Sequence, residues 1–260
     1  MTATRRVGSE FRAAWHSFLR RRTAVVFTFL FPVLIVLIFG VLVETQPTGG
    51  GIFAQPAAYY VPGYLAVVVL FTPLSRVGST VARHREGNRF EKLATTPLSR
   101  AEWLLAHTLV NVVLVALAAL VLLVLTVTLT DASVAVGPAL ALLPALVALA
   151  TALFCGVGAV LGRVAESQDG VVAASNTLAL PLLFLSETFV TPTLLPAWFR
   201  PLALASPVTY FARAVRVAVG LPATEGGALP GVGLAVSLGV LVGLAAVALA
   251  AGAVAIPRTD

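Results

Sequence analysis

The sequence has little of what water-soluble chemistry uses. Only 11% of its 260 residues are charged, against about a quarter in an ordinary soluble domain. Lys92 is the only lysine, and no Gly-x4-Gly-Lys-Ser/Thr loop surrounds it, so a phosphate-cradling P-loop is excluded. Cys155 is the only cysteine and sits in an apolar run. It forms no disulfide framework or thiolate metal site and reads as a small buried residue. His16, His84 and His107 are isolated from one another, so no metal-ligand spacing exists. No serine stands in a Gly-x-Ser-x-Gly-like setting, which argues against an intramembrane serine enzyme. No acidic residue lies in the middle of an apolar run. A proton- or ion-coupled secondary transporter would be expected to have one there. No polar stretch reaches the roughly 100 residues of an independent folded domain.

What the sequence does have is long apolar runs. Hydrophobic residues make up 59% of the chain, and the mean hydropathy is +0.99. The pattern predicts an all-α integral membrane protein with six transmembrane helices, at about 23–43, 59–82, 103–129, 138–161, 171–185 and 229–256. Pro32 is expected to bend the first. Residues 1–22 form a separate N-terminal amphipathic element: Val7, Phe11, Trp15, Phe18 and Leu19 recur at helical spacing, with arginines on the other face. That reads as a helix lying in the membrane interface, its arginines facing anionic lipid headgroups. Residues 23–260 are the transmembrane domain. Between the fifth and sixth spans, Pro192, Pro196, Pro201, Pro207 and Pro222 interrupt residues 186–227. Short re-entrant or external helices fit this interval better than a clean span.

Charge asymmetry orients the chain. With both termini in the cytoplasm, only Arg200, Arg213 and Arg216 fall outside, and most other basic residues fall inside. The formal net charge of +6 follows from that bias and does not call for a nucleic-acid partner. The most polar interval is His84 to Arg100, between the second and third spans. Phe90, Leu93 and Ala94 give it an apolar helical face, Pro97 a stop, and Ser99 a cap for the third span. A short amphipathic helix hung between two spans is suited to contact a soluble partner.

Two strings carry a resemblance. Arg83-His-Arg-Glu-Gly-Asn-Arg-Phe-Glu-Lys-Leu-Ala-Thr-Thr-Pro-Leu-Ser-Arg100 resembles the cytoplasmic loop of the ABC-2 family of ABC-transporter permeases, daunorubicin- and multidrug-exporter-like subunits among them. Leu195-Pro-Ala-Trp-Phe-Arg-Pro-Leu-Ala-Leu-Ala-Ser-Pro-Val-Thr-Tyr-Phe-Ala-Arg-Ala-Val-Arg216 is similar to the family's stretch between its last two spans. The resemblance implies a permease subunit of an exporter in the cell membrane, moving a lipophilic or amphipathic molecule outward, with no enzymatic activity or cofactor of its own. ATP and Mg would sit on a separate cytoplasmic ATPase subunit, and a second permease copy or a similar chain would face this one. It also implies a coupling helix at residues 83–93, with Arg83, Arg85, Glu86, Gly87, Arg89, Phe90, Glu91 and Leu93 at the ATPase contact. A secondary transporter or channel is the alternative.

Within the spans, Thr72, Ser75 and Ser79 share one face of the second, with Arg76 on its flank and Asn176 in the fifth. These are candidate pathway residues. Arg76 lies seven positions before Arg83, about 10 Å along a helix, so snorkelling to the interface is its other reading. Glu187 is expected near Arg213 and Arg216, in external helices or as separate interfacial charges.

Overall fold

The computed structural model describes residues 2–42, 57–130, 132, 137–189, 196, 198, 200–221 and 232–257. The last residue of the expected first span, Leu195, Ala197 and Phe199 of the second motif, Pro192, Pro222, residues 229–231 of the expected sixth span and Arg258 lie outside the described residues. Every regular element among the described residues is helical.

Helix α1 (Ala3–Leu19) packs its aromatic stripe against α5 (Arg100–Leu129): Phe18 is buried with Val110 and Leu114, and Phe11 and Trp15 flank it. Leu19, expected on that stripe, is exposed. After a tight corner at Arg20 and Arg21, α2 (Arg22–Ile35) begins and passes into a π-helical turn, Val36–Leu42. Pro32 lies inside α2 and cannot donate to the carbonyl four residues earlier, so the helix widens just beyond it. Tyr64 supplies one compensating bond, its hydroxyl donating to the Phe39 carbonyl at 2.9 Å.

The centre of the molecule is α3 (Val61–Glu86), entered from a 3-10 turn at Ala57–Tyr60. Tyr60, Tyr64, Leu65, Leu70 and Leu74 are fully buried along it. A break at Gly87 and Asn88 separates it from the short α4 (Arg89–Ala94), and α5 follows. A 3-10 turn at Pro138–Leu142 leads into α6 (Leu143–Val164), then come α7 (Gln168–Phe184), a 3-10 turn at Arg200–Ala205, α8 (Pro207–Ala218) and α9 (Leu234–Ala255).

Five helical stretches are long and apolar enough to cross a membrane: Arg22–Leu42, Ala57–Glu86, Arg100–Leu129, Pro138–Val164 and Leu234–Ala255. The expected fifth span is shorter. Helix α7 has 17 residues, about 25 Å at 1.5 Å per residue, less than the roughly 30 Å hydrocarbon thickness. It stops where the Ser186 and Thr188 hydroxyls turn back to donate to the Leu183 carbonyl, at 2.5 and 3.1 Å. The second span is longer than expected, running unbroken through Arg83, His84, Arg85 and Glu86. Apolar side chains exposed on α2, α5 and α9, such as Phe27, Leu120 and Val247, belong against lipid or another subunit, not water.

Helix α6 lies between α3 and α9, and glycines let the backbones touch. A Cβ on Gly158 would stand 2.5 Å from the Leu74 carbonyl oxygen, and one on Gly252 would stand 2.8 Å from the Gly156 oxygen. Small residues at such crossings supply the packing that water-driven burial cannot supply inside a bilayer. Gly158→Val should therefore lower the thermal midpoint of the detergent-purified protein, by the equivalent of about 1–3 kcal/mol or more. Gly239 has open space around its Cβ position, so Gly239→Val should leave the midpoint unchanged in the same assay.

Candidate functional site

The turn from α3 through α4 to α5 is built on an aromatic knot. Phe90, the buried residue of α4, meets Trp103 of α5 edge-on at 5.3 Å and His84 of α3 at 5.5 Å. His84 also packs on Trp103 at 5.5 Å. Gly87 ends α3, and the left-handed residue is Asn88, with φ of 50°, a conformation asparagine tolerates better than most residues. Helix α5 starts with a reciprocal cap: Ser99 Oγ accepts from the Glu102 N–H at 3.2 Å, and Glu102 Oε2 accepts from the Ser99 N–H at 2.8 Å. Around this knot Arg89, Glu91 and Lys92 are exposed, and Leu93 is half-buried.

The residues 83–93 do not form one helix. Arg83, His84, Arg85 and Glu86 complete α3, and only residues from Arg89 onward form α4. Arg85 and Glu86 are moreover engaged within the chain. Arg85 donates to the Arg163, Ala165 and Glu166 carbonyls at 2.7, 2.5 and 2.9 Å, closing the C-terminal end of α6. Glu86 accepts from the Gln168 backbone and side-chain nitrogens, both at 3.2 Å, at the first residue of α7. Opposite charges at opposite helix ends match the backbone dipoles. Arg100 does the same for α9, donating to the Val254 and Ile256 carbonyls at 3.1 and 2.9 Å.

Helix α1 is tied to the same corner by pairs that the sequence reading missed. Arg6 grips Glu102 with Nη2–Oε1 at 2.5 Å, and that hydrogen bond holds the Arg6 guanidinium above its ordinary pKa. Glu10 faces His107 at 3.3 Å. Glu102 thus joins the cap at Ser99 to Arg6, 96 positions away.

Of the candidate pathway residues, Ser75, Arg76 and Ser79 line a cavity of about 660 Å³ between α1, the start of α2, α3 and α5. Thr72 and Asn176 are not among its lining residues, and Asn176 is exposed on α7. Arg76 Nε donates to Asn111 Oδ1 at 3.0 Å, and its guanidinium lies 4.3 Å from the centre of the Phe18 ring. It is thus held at the junction of α1, α3 and α5.

Glu187, Arg213 and Arg216 come together in a second polar centre. Arg213 grips Glu187 through two bonds, Nε–Oε2 at 2.8 Å and Nη2–Oε1 at 2.5 Å. Arg216 donates to the Glu187 carbonyl, and its guanidinium lies 4.6 Å from the centre of the Tyr59 ring. All three charged residues are at most 3% exposed. Removing one member of such a pair strands the other charge away from water, at about 3–5 kcal/mol. Glu187→Gln should therefore sharply reduce thermal stability and yield from membranes. The double variant Glu187→Gln/Arg213→Met should recover part of the loss.

Comparison with known proteins follows from this geometry. A model of the ABC-2 type transporter family matches residues 7–219, which include α1, the α3–α4–α5 turn and the Glu187 centre. No curated protein matches the chain. With five helices able to cross a membrane and a family match over most of its length, the chain belongs to the ABC-2 type transporter family and is a membrane permease of an ABC-type transporter.

Proposed function

We propose that this chain is the membrane-spanning subunit of an ABC exporter in the plasma membrane, moving a lipophilic or amphipathic substrate outward. A drug-like metabolite, a lipid and a glycan carrier all fit that description. The energy comes from ATP and Mg on a separate ATPase subunit, and two permease copies or similar chains enclose the substrate path. In this reading α7 is the fifth of six spans, α1 lies on the inner surface, and both termini are cytoplasmic. The bias of basic residues toward the α1 and α4 end supports that orientation.

The observation that carries the proposal is α4. It hangs between the two 30-residue helical stretches, Ala57–Glu86 and Arg100–Leu129, and its Phe90 is locked into the aromatic knot. Arg89, Glu91 and Lys92 face outward. An ATPase docked on those charges would push a rigid unit, because α4 cannot tilt without dislodging Phe90 from both spans. Arg85 and Glu86, which hold α6 and α7 to α3, would carry the push to those helices. Ion-coupled transport has weaker support: Glu187, the buried carboxylate, is already neutralised by Arg213.

Affinity purification from native membranes in gentle detergent, with chemical crosslinking before solubilisation, tests this. The expected result is a stoichiometric partner bearing a P-loop. The double charge reversal Glu91→Lys/Lys92→Glu, at exposed positions, should cut its recovery roughly tenfold, as loss of paired interfacial charges does, with no change in thermal midpoint. A crosslinked preparation containing no ATPase would count against the assignment.

A further inference from the structure

The cavity beside Arg76 holds more positive charge than the fold needs. Arg20, Arg21, Arg76, Arg83 and Arg89 line it, with His16, His84 and His107, against a single carboxylate, Glu10. Glu10 is already turned toward His107. Among the described residues, none of the five arginines has a carboxylate within ion-pair distance. The contrast with Arg213, whose charge is met by Glu187 at 2.5 Å, is sharp.

A second feature points the same way. His84 lines the cavity and is 95% buried, being 5% exposed. Its Nε2 faces Arg89 Nη1 at 3.3 Å. A guanidinium only donates, so Nε2 accepts and the proton of the neutral ring sits on Nδ1. That Nδ1 has no hydrogen-bond partner among the described residues. A buried N–H without an acceptor is costly. An anion entering here would meet arginines bonded to neutral groups, Arg76 to Asn111, Arg83 to Thr80 and Arg89 to His84, together with Arg20, Arg21 and the hydroxyls of Ser17, Ser75 and Ser79. The rest of the wall is apolar, with Ala13, Ala14, Phe18, Ala24 and Val110, and α1 carries the amphipathic pattern of a helix lying at a membrane surface.

We infer that this cavity binds the phosphate group of an amphiphile, the headgroup held by the arginines of the α1–α2 corner and of α3 and the acyl stem laid along the apolar wall. A membrane phospholipid and a phosphorylated transport substrate share that chemistry. The cavity shares Arg89 with α4, but Arg20, Arg21, Arg76 and Arg83 lie outside that helix, so the inference does not rest on ATPase coupling.

The test is equilibrium binding to the detergent-purified full chain, using dioctanoyl phosphatidic acid, dioctanoylglycerol and inorganic phosphate. Phosphatidic acid should bind and dioctanoylglycerol should bind roughly tenfold or more weakly, since they differ only by the charged group. Arg20→Gln/Arg21→Gln, at exposed positions, should weaken phosphatidic acid binding by roughly tenfold or more, as loss of two near-surface arginines implies. Arg83→Gln should do so by a smaller factor. Arg12→Gln, exposed on α1 but outside the cavity, should leave binding unchanged. Equal binding of the two lipids, or equal affinity in the wild type and Arg20→Gln/Arg21→Gln, would overturn the inference. Displacement of the lipid by an equal concentration of inorganic phosphate would overturn the amphiphile assignment in favour of a free phosphate.

Discussion

The structure depends on one constraint: a helix that leaves hydrocarbon must still find partners for its terminal backbone groups. Here a single corner supplies them for several helices at once. Arg85 closes α6, Glu86 receives the start of α7, Arg100 closes α9, and Ser99 with Glu102 opens α5. Each side chain comes from the polar interval between the second and third spans. That interval is therefore the bracket that fixes where four other helix ends stand. In the proposed coupling role this matters: a loop free to move would absorb a push, whereas one bonded to four helices distributes it.

The same constraint explains what the sequence made legible. Apolar run length located the helices, because length and hydropathy are local properties; the 3.6-residue spacing of Phe11, Trp15 and Phe18 likewise found the buried face of α1. The cap at Ser99 was legible because a serine stands just before the third span. Gly87 reads as a place where the chain can kink, but the full break was not legible: it takes the left-handed Asn88 and the packing of Phe90 on Trp103. Arg85 and Glu86 read as surface charges ready for a partner because their real acceptor and donor lie 77 or more positions away. Arg76 likewise took its meaning from Asn111, 35 positions on, and from Phe18 of α1. Helix α7 ends within a residue of the expected fifth span, where the Ser186 and Thr188 hydroxyls turn back onto the Leu183 carbonyl, and its 17 residues stay short for a bilayer crossing.

Close packing and polarity are segregated along the molecule. Where α3, α6 and α9 cross, glycines bring backbone against backbone, leaving no room for side-chain adjustment. Those crossings behave as fixed contacts. Polar side chains collect instead at the two ends of α3, one set around Tyr59 and Arg216 and the other around Arg76 and His84. A helix rigidly seated in its middle and polar at both extremities can couple events on the two sides of a membrane without bending.

The two polar centres differ in the one respect that decides their roles. Around Glu187, two arginines meet a carboxylate and a carbonyl in a dry interior, so charge is cancelled locally and the arrangement gains nothing from a further ion. Around Arg76, five arginines face one carboxylate across a cavity wide enough to admit a headgroup. The first arrangement is complete as it stands and holds α7 to α8. The second keeps an excess of positive charge, concentrated where α1 lies across the ends of α3 and α5.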